Sequence, residues 1–206
     1  AAVNAAGPLT VAVQLALDNR GGKLVSAADL GVTAATLDNR DAGLLVSTDG
    51  KLDVGTLGRT ENAGGTLQGG GDVRLANTGL GNAGGSVLGA NVEVDTRLAS
   101  LDNAGGSIAS TTGTLDLDSG ALNNAGGLLQ SAQGMRVDTH GRELDNTDVA
   151  STGGILSGDT LVLSTGSLKN RGGIVQSQGD FIARTGAIDN TAGQLGSNAN
   201  VDIGAV

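Results

Sequence analysis

Residues 101–110 read LDNAGGSIAS, and nearly the same string stands at 17–26 as LDNRGGKLVS and at 122–131 as LNNAGGLLQS. Aligned on its asparagine, the motif recurs nine times: Asn19, Asn39, Asn62, Asn82, Asn103, Asn124, Asn146, Asn170 and Asn190. Successive copies lie 20, 23, 20, 21, 21, 22, 24 and 20 residues apart. A period of this size marks a stacked-repeat architecture.

Each period holds three short runs with alternating apolar residues. The first follows the glycines, with an apolar position at Leu24, Leu45, Leu67, Val87, Ile108, Leu129, Leu156, Val175 and Leu195. Two residues on comes Ser or Gly, as at Ser26, Ser47, Gly69, Ser131, Gly158 and Ser177. The second run is a pair two apart, such as Val73/Leu75, Val92/Val94 and Leu115/Leu117, and the third is Leu-x-Asn, such as Leu101/Asn103. Alternation with period two puts these residues on one face of strands. A single turn of chain has no way to bury that face, so consecutive turns must stack and share an aliphatic core. The expected fold is therefore all-β: a parallel β-helix with three short strands per ~20-residue coil, nine to ten coils, and one elongated domain over 1–206. At about 4.8 Å per coil the rod would be on the order of 45 Å long.

Composition agrees. Among 206 residues there are 37 Gly, one Pro, one Phe, and no Trp, Tyr or Cys. A core without aromatics must be Leu, Val, Ile and Ala, which suits a narrow lumen filled in register; Phe181 is the exception, with small Ala183 as its compensating strand partner. A net charge of −9 sets the surface against nucleic acid and anionic membranes. Zero Cys removes disulfides, thiolate metal sites and Cys nucleophiles. No apolar run is long enough to span a bilayer. A chain that starts Ala1-Ala2-Val3, with Met135 its only Met, is expected to be an internal fragment of a longer filamentous protein.

Both ends of Leu-x-Asn face inward, so each Asn amide is expected inside, at a corner. A buried amide costs roughly 1–3 kcal/mol if unpaired. Nine amides at coil spacing solve this by each donating to one neighbour and accepting from the other, a structural Asn ladder. The glycine pairs that follow, such as Gly84/Gly85 and Gly105/Gly106, would permit positive φ or close approach between coils.

The pattern L-x-N-x-G-G-x-L/I/V-x-S, followed by Gly or Asp and an L-x-V pair, resembles the haemagglutinin repeats of filamentous haemagglutinin and of contact-dependent growth-inhibition exoproteins. That resemblance implies a right-handed β-helix filament at a Gram-negative cell surface, secreted by the two-partner route through an outer-membrane transporter. It implies a structural stalk that projects adhesive or toxic regions toward a target cell, with the receptor engaged through other regions and no direct membrane insertion. The family's secretion and toxin domains have no counterpart in this sequence. Copies two and seven depart from the pattern, at Asp41 with a lone Gly43 and at Thr147–Thr152, and should bulge.

Chemistry is sparse. His140 is the only His, so a His-based triad or His-rich metal site is excluded, and no catalytic, cofactor or metal residues are assigned. Carboxylates need more care, because outward positions of the second strand align Asp53, Arg74, Glu93, Asp116 and Arg136, with Asp95, Asp118 and Asp138 beside them. Such a column reads as a solvated face whose repulsion Arg74 and Arg136 relieve; the alternative is a carbohydrate-binding or carbohydrate-cleaving β-helix acting through a carboxylate pair. Longer connections between the second and third runs carry Arg59, Arg97 and Arg142, about two coil rises apart along one edge. These are the candidate contact loops, against the plainer reading of tolerated surface bulges.

Overall fold

The computed structural model describes residues 1–148 and 153–205. Every strand pairing among them is parallel, and each joins a strand to its equivalent one coil further on. First runs, from Ala2–Ala5 and Lys23–Ser26 to Gln194–Ser197, form one ten-stranded sheet. Second runs, from Leu9–Ala12 to Val201–Gly204, stack beside them, and third runs, from Ala16–Asp18 onward, complete each turn. The protein is a β-solenoid of about nine turns of roughly 21 residues.

Strands are this short because turn-formers follow them at once. In the coil at Ser107–Ser110 the chain alternates outward Ser107 and Ala109 with inward Ile108 and Ser110, then turns at Thr111–Gly113. Ile108, Leu115, Leu117 and Leu122 are its contribution to the lumen, each at most 1% exposed. Repeating this over successive coils gives one hydrophobic cluster from Leu24 to Ala183, with like residues stacked on like. Burying an aliphatic side chain is worth about 1.5–3 kcal/mol, so cohesion between coils comes mainly from here. Phe181 lies wholly inside, stacked on Leu161, with Ala183 on Leu163.

Two readings of the first run need correction. At copy seven the inward residues are Ile155 and Ser157, not Leu156 and Gly158. Ile155 pairs with Leu129 and Val175, and Ser157 with Ser131 and Ser177, while Leu156 faces outward beside Gln130 and Gln176. Alignment on Gly153/Gly154 shifts the register by one; Gly154 is already the first strand residue, at φ +113°. Burial of Ile155 decides the register, because a slip of one would turn its side chain to solvent. The insertion expected over Thr147–Thr152 falls largely at 149–152, outside the described residues. Three strands per coil also fails late in the chain, where Leu161–Lys169 and Phe181–Asp189 each run nine residues, fusing second and third runs.

A second polar column accompanies the asparagines. Thr56, Asn77, Thr96, Ser119, Thr139, Thr165 and Thr185 sit two residues beyond the last inward aliphatic of the second run, on the same inward side, all buried. Thr56, Thr96 and Thr139 each close their corner by donating to a carbonyl two or three residues on, at 2.7, 2.5 and 2.7 Å. Asn77 is the exception: its Oδ1 accepts from Gly79 N–H at 3.1 Å, while Nδ2 has no partner among the described residues.

Candidate functional site

The asparagine corner is the most elaborated feature. Asn19 Nδ2 donates to Asn39 Oδ1 at 2.7 Å, and the same bond repeats from coil to coil up to Asn170 and Asn190, at 2.7–2.8 Å. The amides from Asn19 to Asn170 also donate to backbone: Asn103 Nδ2 reaches Gly106 O at 3.3 Å and Leu128 O at 3.2 Å. Side-chain amides thus continue the hydrogen bonding of the sheets around a bend where backbone alone would leave gaps.

The two glycines of each pair do different work. Gly84 has φ +59° and open space around it, so it supplies a left-handed turn residue. Gly85 has ordinary φ, but a Cβ there would meet Asn62 O at 2.2 Å and Asn82 Oδ1 at 2.7 Å. It is glycine because the amide column packs directly on its backbone. Copy two keeps this logic with one more residue: Asp41 and Ala42 both take positive φ, and Gly43 fills the crowded position beside Asn39 Oδ1. The ladder passes through unbroken, with Asn39 Nδ2 to Asn62 Oδ1 at 2.7 Å.

Outward charges on the second face are paired along the rod. Register places Asp53, Arg74, Glu93, Asp116 and Arg136 on consecutive coils. Arg74 lies 3.5 Å from Glu93, and Arg136 bridges Asp116 at 3.2 Å and Asp138 at 2.7 Å. A shallow depression of about 370 Å³ opens beside them, with Lys51, Asp53, Arg74, Glu93 and Asp116 in its lining. His140 stands at φ +49° on the corner of its coil, Nε2 against Asp118 Oδ1 at 2.6 Å, with its N–H donated to Asp138 at 2.8 Å. The hydrogen bond to Asp118 raises the His140 pKa above its ordinary value. At the asparagine corner Arg20 grips Asp18, holding that carboxyl down at about 2. No cluster of three or more His, Cys, Asp or Glu among the described residues has the arrangement of a metal site.

With this geometry in view, comparison with known families bears on the first coils. The haemagglutinin-repeat family model matches residues 4–56 and 54–96. Residues 4–96 are a haemagglutinin-repeat region of the filamentous haemagglutinin type. No curated protein and no solved structure matches the chain. The matched haemagglutinin repeats hold the ladder from Asn19 to Asn82, and the coils from Asn103 to Asn190 continue the same bond in the same place.

The corner arginines of the repeats are not equivalent. Arg59 pairs with Glu61 and lies across the next coil, where a Cβ on Gly79 or Gly81 would come within 3.0 Å of its guanidinium. Arg97 reaches two coils back, donating to Thr56 O at 3.1 Å. Arg142 is exposed, and among the described residues its backbone alone makes hydrogen bonds there, donating to Thr139 O and accepting from Gly166 N–H and the Thr139 hydroxyl. Leu57 and Leu98, 77% and 64% exposed, ride the same edge. Sequence reading passed over these leucines, because a lone apolar residue inside a loop carries no periodic signal.

Proposed function

We propose that the chain is a structural filament segment, one non-enzymatic solenoid domain over 1–206, within a large secreted protein of the bacterial surface. In this reading the rod carries adhesive or toxic regions of an adhesin or contact-dependent inhibition effector toward a target cell. Export would run through an outer-membrane two-partner-secretion transporter, and the receptor would be met by regions outside these coils. The observation that supports it best is continuity. Core and ladder run coil to coil without a break in kind, so each coil stabilises the next and none is set apart as a site. Strand pairing and ladder bonds that join each coil to the next also suit export, since coils folding one by one outside the membrane would draw the chain outward. Arg59 and Arg97 spend their side chains on the rod, leaving Arg142 as the free contact candidate of the three.

The carbohydrate-cleaving alternative has its best pair in Glu93 and Asp116, but Arg74 and Arg136 already engage those carboxylates. The test is to apply the purified chain to bacterial and host cells, and to a panel of polysaccharides. A stalk gives no saturable cell binding and releases no reducing ends. Saturable binding that Arg142→Ala abolishes would reassign the segment as an adhesive surface, and release of reducing ends would reassign it as an enzyme.

A further inference from the structure

The two broad faces of the solenoid differ in charge. Both are stacks of parallel strands with alternate side chains outward. On the second-run face the outward column carries Asp53, Arg74, Glu93, Asp116 and Arg136, which is how a water-facing sheet is kept soluble. On the ten-stranded first-run sheet, the only charged residue at an outward strand position is Lys23. Those positions include half-buried Leu44, Val46, Leu88, Leu128, Leu156 and Ile174, and no ion pair among the described residues involves this sheet. In a chain of net charge −9, so long an uncharged strip is a departure that needs a cause. Parallel sheets are usually covered on both faces.

We propose that a second copy of the chain packs on this face, the two rods side by side, pointing the same way, coil opposite coil. Two copies repel wherever acidic surfaces meet, and this is the broad face on which they approach without like-charge contact. The area is adequate. Four-residue strands at about 3.3 Å per residue, ten deep at about 4.8 Å, give roughly 600 Å² per copy. Two such faces bury about 1,200 Å², the lower end of the range for specific interfaces.

Direction follows from the rims. Arg20 precedes the strand Lys23–Ser26 and Asp29 follows it; Arg40 and Asp49 flank Leu44–Ser47; Arg171 and Asp180 flank Ile174–Ser177. A two-fold axis along the rod lays the leading rim of one copy over the trailing rim of the other at the same level, so each Arg meets the partner copy's Asp. An axis across the rods would set leading rim on leading rim, with Arg20 against Arg171. Arg20 and Arg40 also hold Asp18 and Asp38 at 2.8 and 2.6 Å, and a guanidinium has five N–H donors to divide between two carboxylates. Shape agrees: the same axis sets small Gly154 and Ser86 of one copy against Leu156 and Leu88 of the other.

The test uses the absence of cysteine. Sedimentation velocity over a concentration series should show a reversible dimer, weakened at least tenfold by Val46→Lys with Leu88→Lys, both outward and so compatible with folding. Val25→Cys then supplies the only thiol, and a short bismaleimide should link the chain to itself. In the antiparallel arrangement Val25 would oppose Gln176 and lie about 34 Å from its own copy, seven coil rises away. A monomer at every concentration overturns the proposal. So does a dimer indifferent to the lysines, which would mean stacking of open coil ends, or linkage only between Val25→Cys and Gln176→Cys chains.

Discussion

Replacing Asn103 by Leu tests the ladder at mid-rod. The side chains are close in shape, so the change removes hydrogen bonds with little change in packing volume. Asn82 Nδ2 loses Asn103 Oδ1 but keeps Gly85 O at 3.3 Å and Ser107 O at 3.2 Å, enough for its two protons. Asn124 fares worse: among the described residues the Asn103 amide is the sole donor to its Oδ1, at 2.7 Å, and Asn124 is fully buried. One orphaned buried acceptor costs about 1–3 kcal/mol, and the lost bonds to Gly106 and Leu128 carbonyls add about 1 kcal/mol, for roughly 2–4 kcal/mol in all. For a chain of this size that is a melting shift of roughly 5–15 °C. Because repeat arrays melt with limited cooperativity, the melt should be paired with hydrogen exchange at the amides of Asn82, Gly106 and Asn124, where protection should fall first. Thr112→Ala, at an exposed turn, is the control. If Asn103→Leu melts with the control and exchanges like wild type, the amide column contributes nothing and the reasoning is wrong.

Three further outcomes are expected. Gly85→Ala should destabilise the rod more than Gly84→Ala in the same melt, since the first drives a methyl to 2.2 Å from a backbone carbonyl and the second costs only the left-handed penalty of about 1–2 kcal/mol. The His140–Asp118 contact raises the His140 pKa, so its stabilisation is complete below the unfolded value of about 6.5 and fades as pH rises through the folded value. Asp118, Asp138 and Arg136 are the charges facing the ring, and an NMR titration of the imidazole should move toward 6.5 in Asp118→Asn. Asn77→Thr replaces an orphaned amide with the hydroxyl its column otherwise favours, and should raise the denaturation midpoint by the equivalent of about 1 kcal/mol; a fall would mean the amide has a partner.

The fold was readable because one residue recurs where chemistry leaves few substitutes. Asn at the corner and Gly beside it are fixed by the amide column, and the L-x-V pair by the lumen, so the period survives spacings from 20 to 24 residues. The outward column from Asp53 to Arg136 followed from that register alone. What escaped was governed by contacts rather than pattern. Ile155 and Leu156 are equally apolar, and only the pairing with Leu129 says which one faces in. The buried threonines lie two residues beyond the inward aliphatic pair of the second run, where alternation still holds but the residue is polar and reads as a turn. The uncharged face was hidden because absent charge is visible only after strands from ten coils are laid side by side. Arg59 and Arg97 share a spacing with Arg142, yet which coil each side chain touches depends on loop conformation.

The central claim is that equivalent residues of successive coils stack along one axis with a constant rise. Pairs of nitroxide labels on introduced cysteines measure this directly, taking Asp53 as the fixed partner and Arg74, Asp116, Arg136 and Ile182 as the second site. Register puts these one, three, four and six coils away, so the mean distance should grow by about 4.8 Å per coil. Distances that fail to increase with coil number, or that plateau as in a globule, would contradict the stacked solenoid and every conclusion built on it.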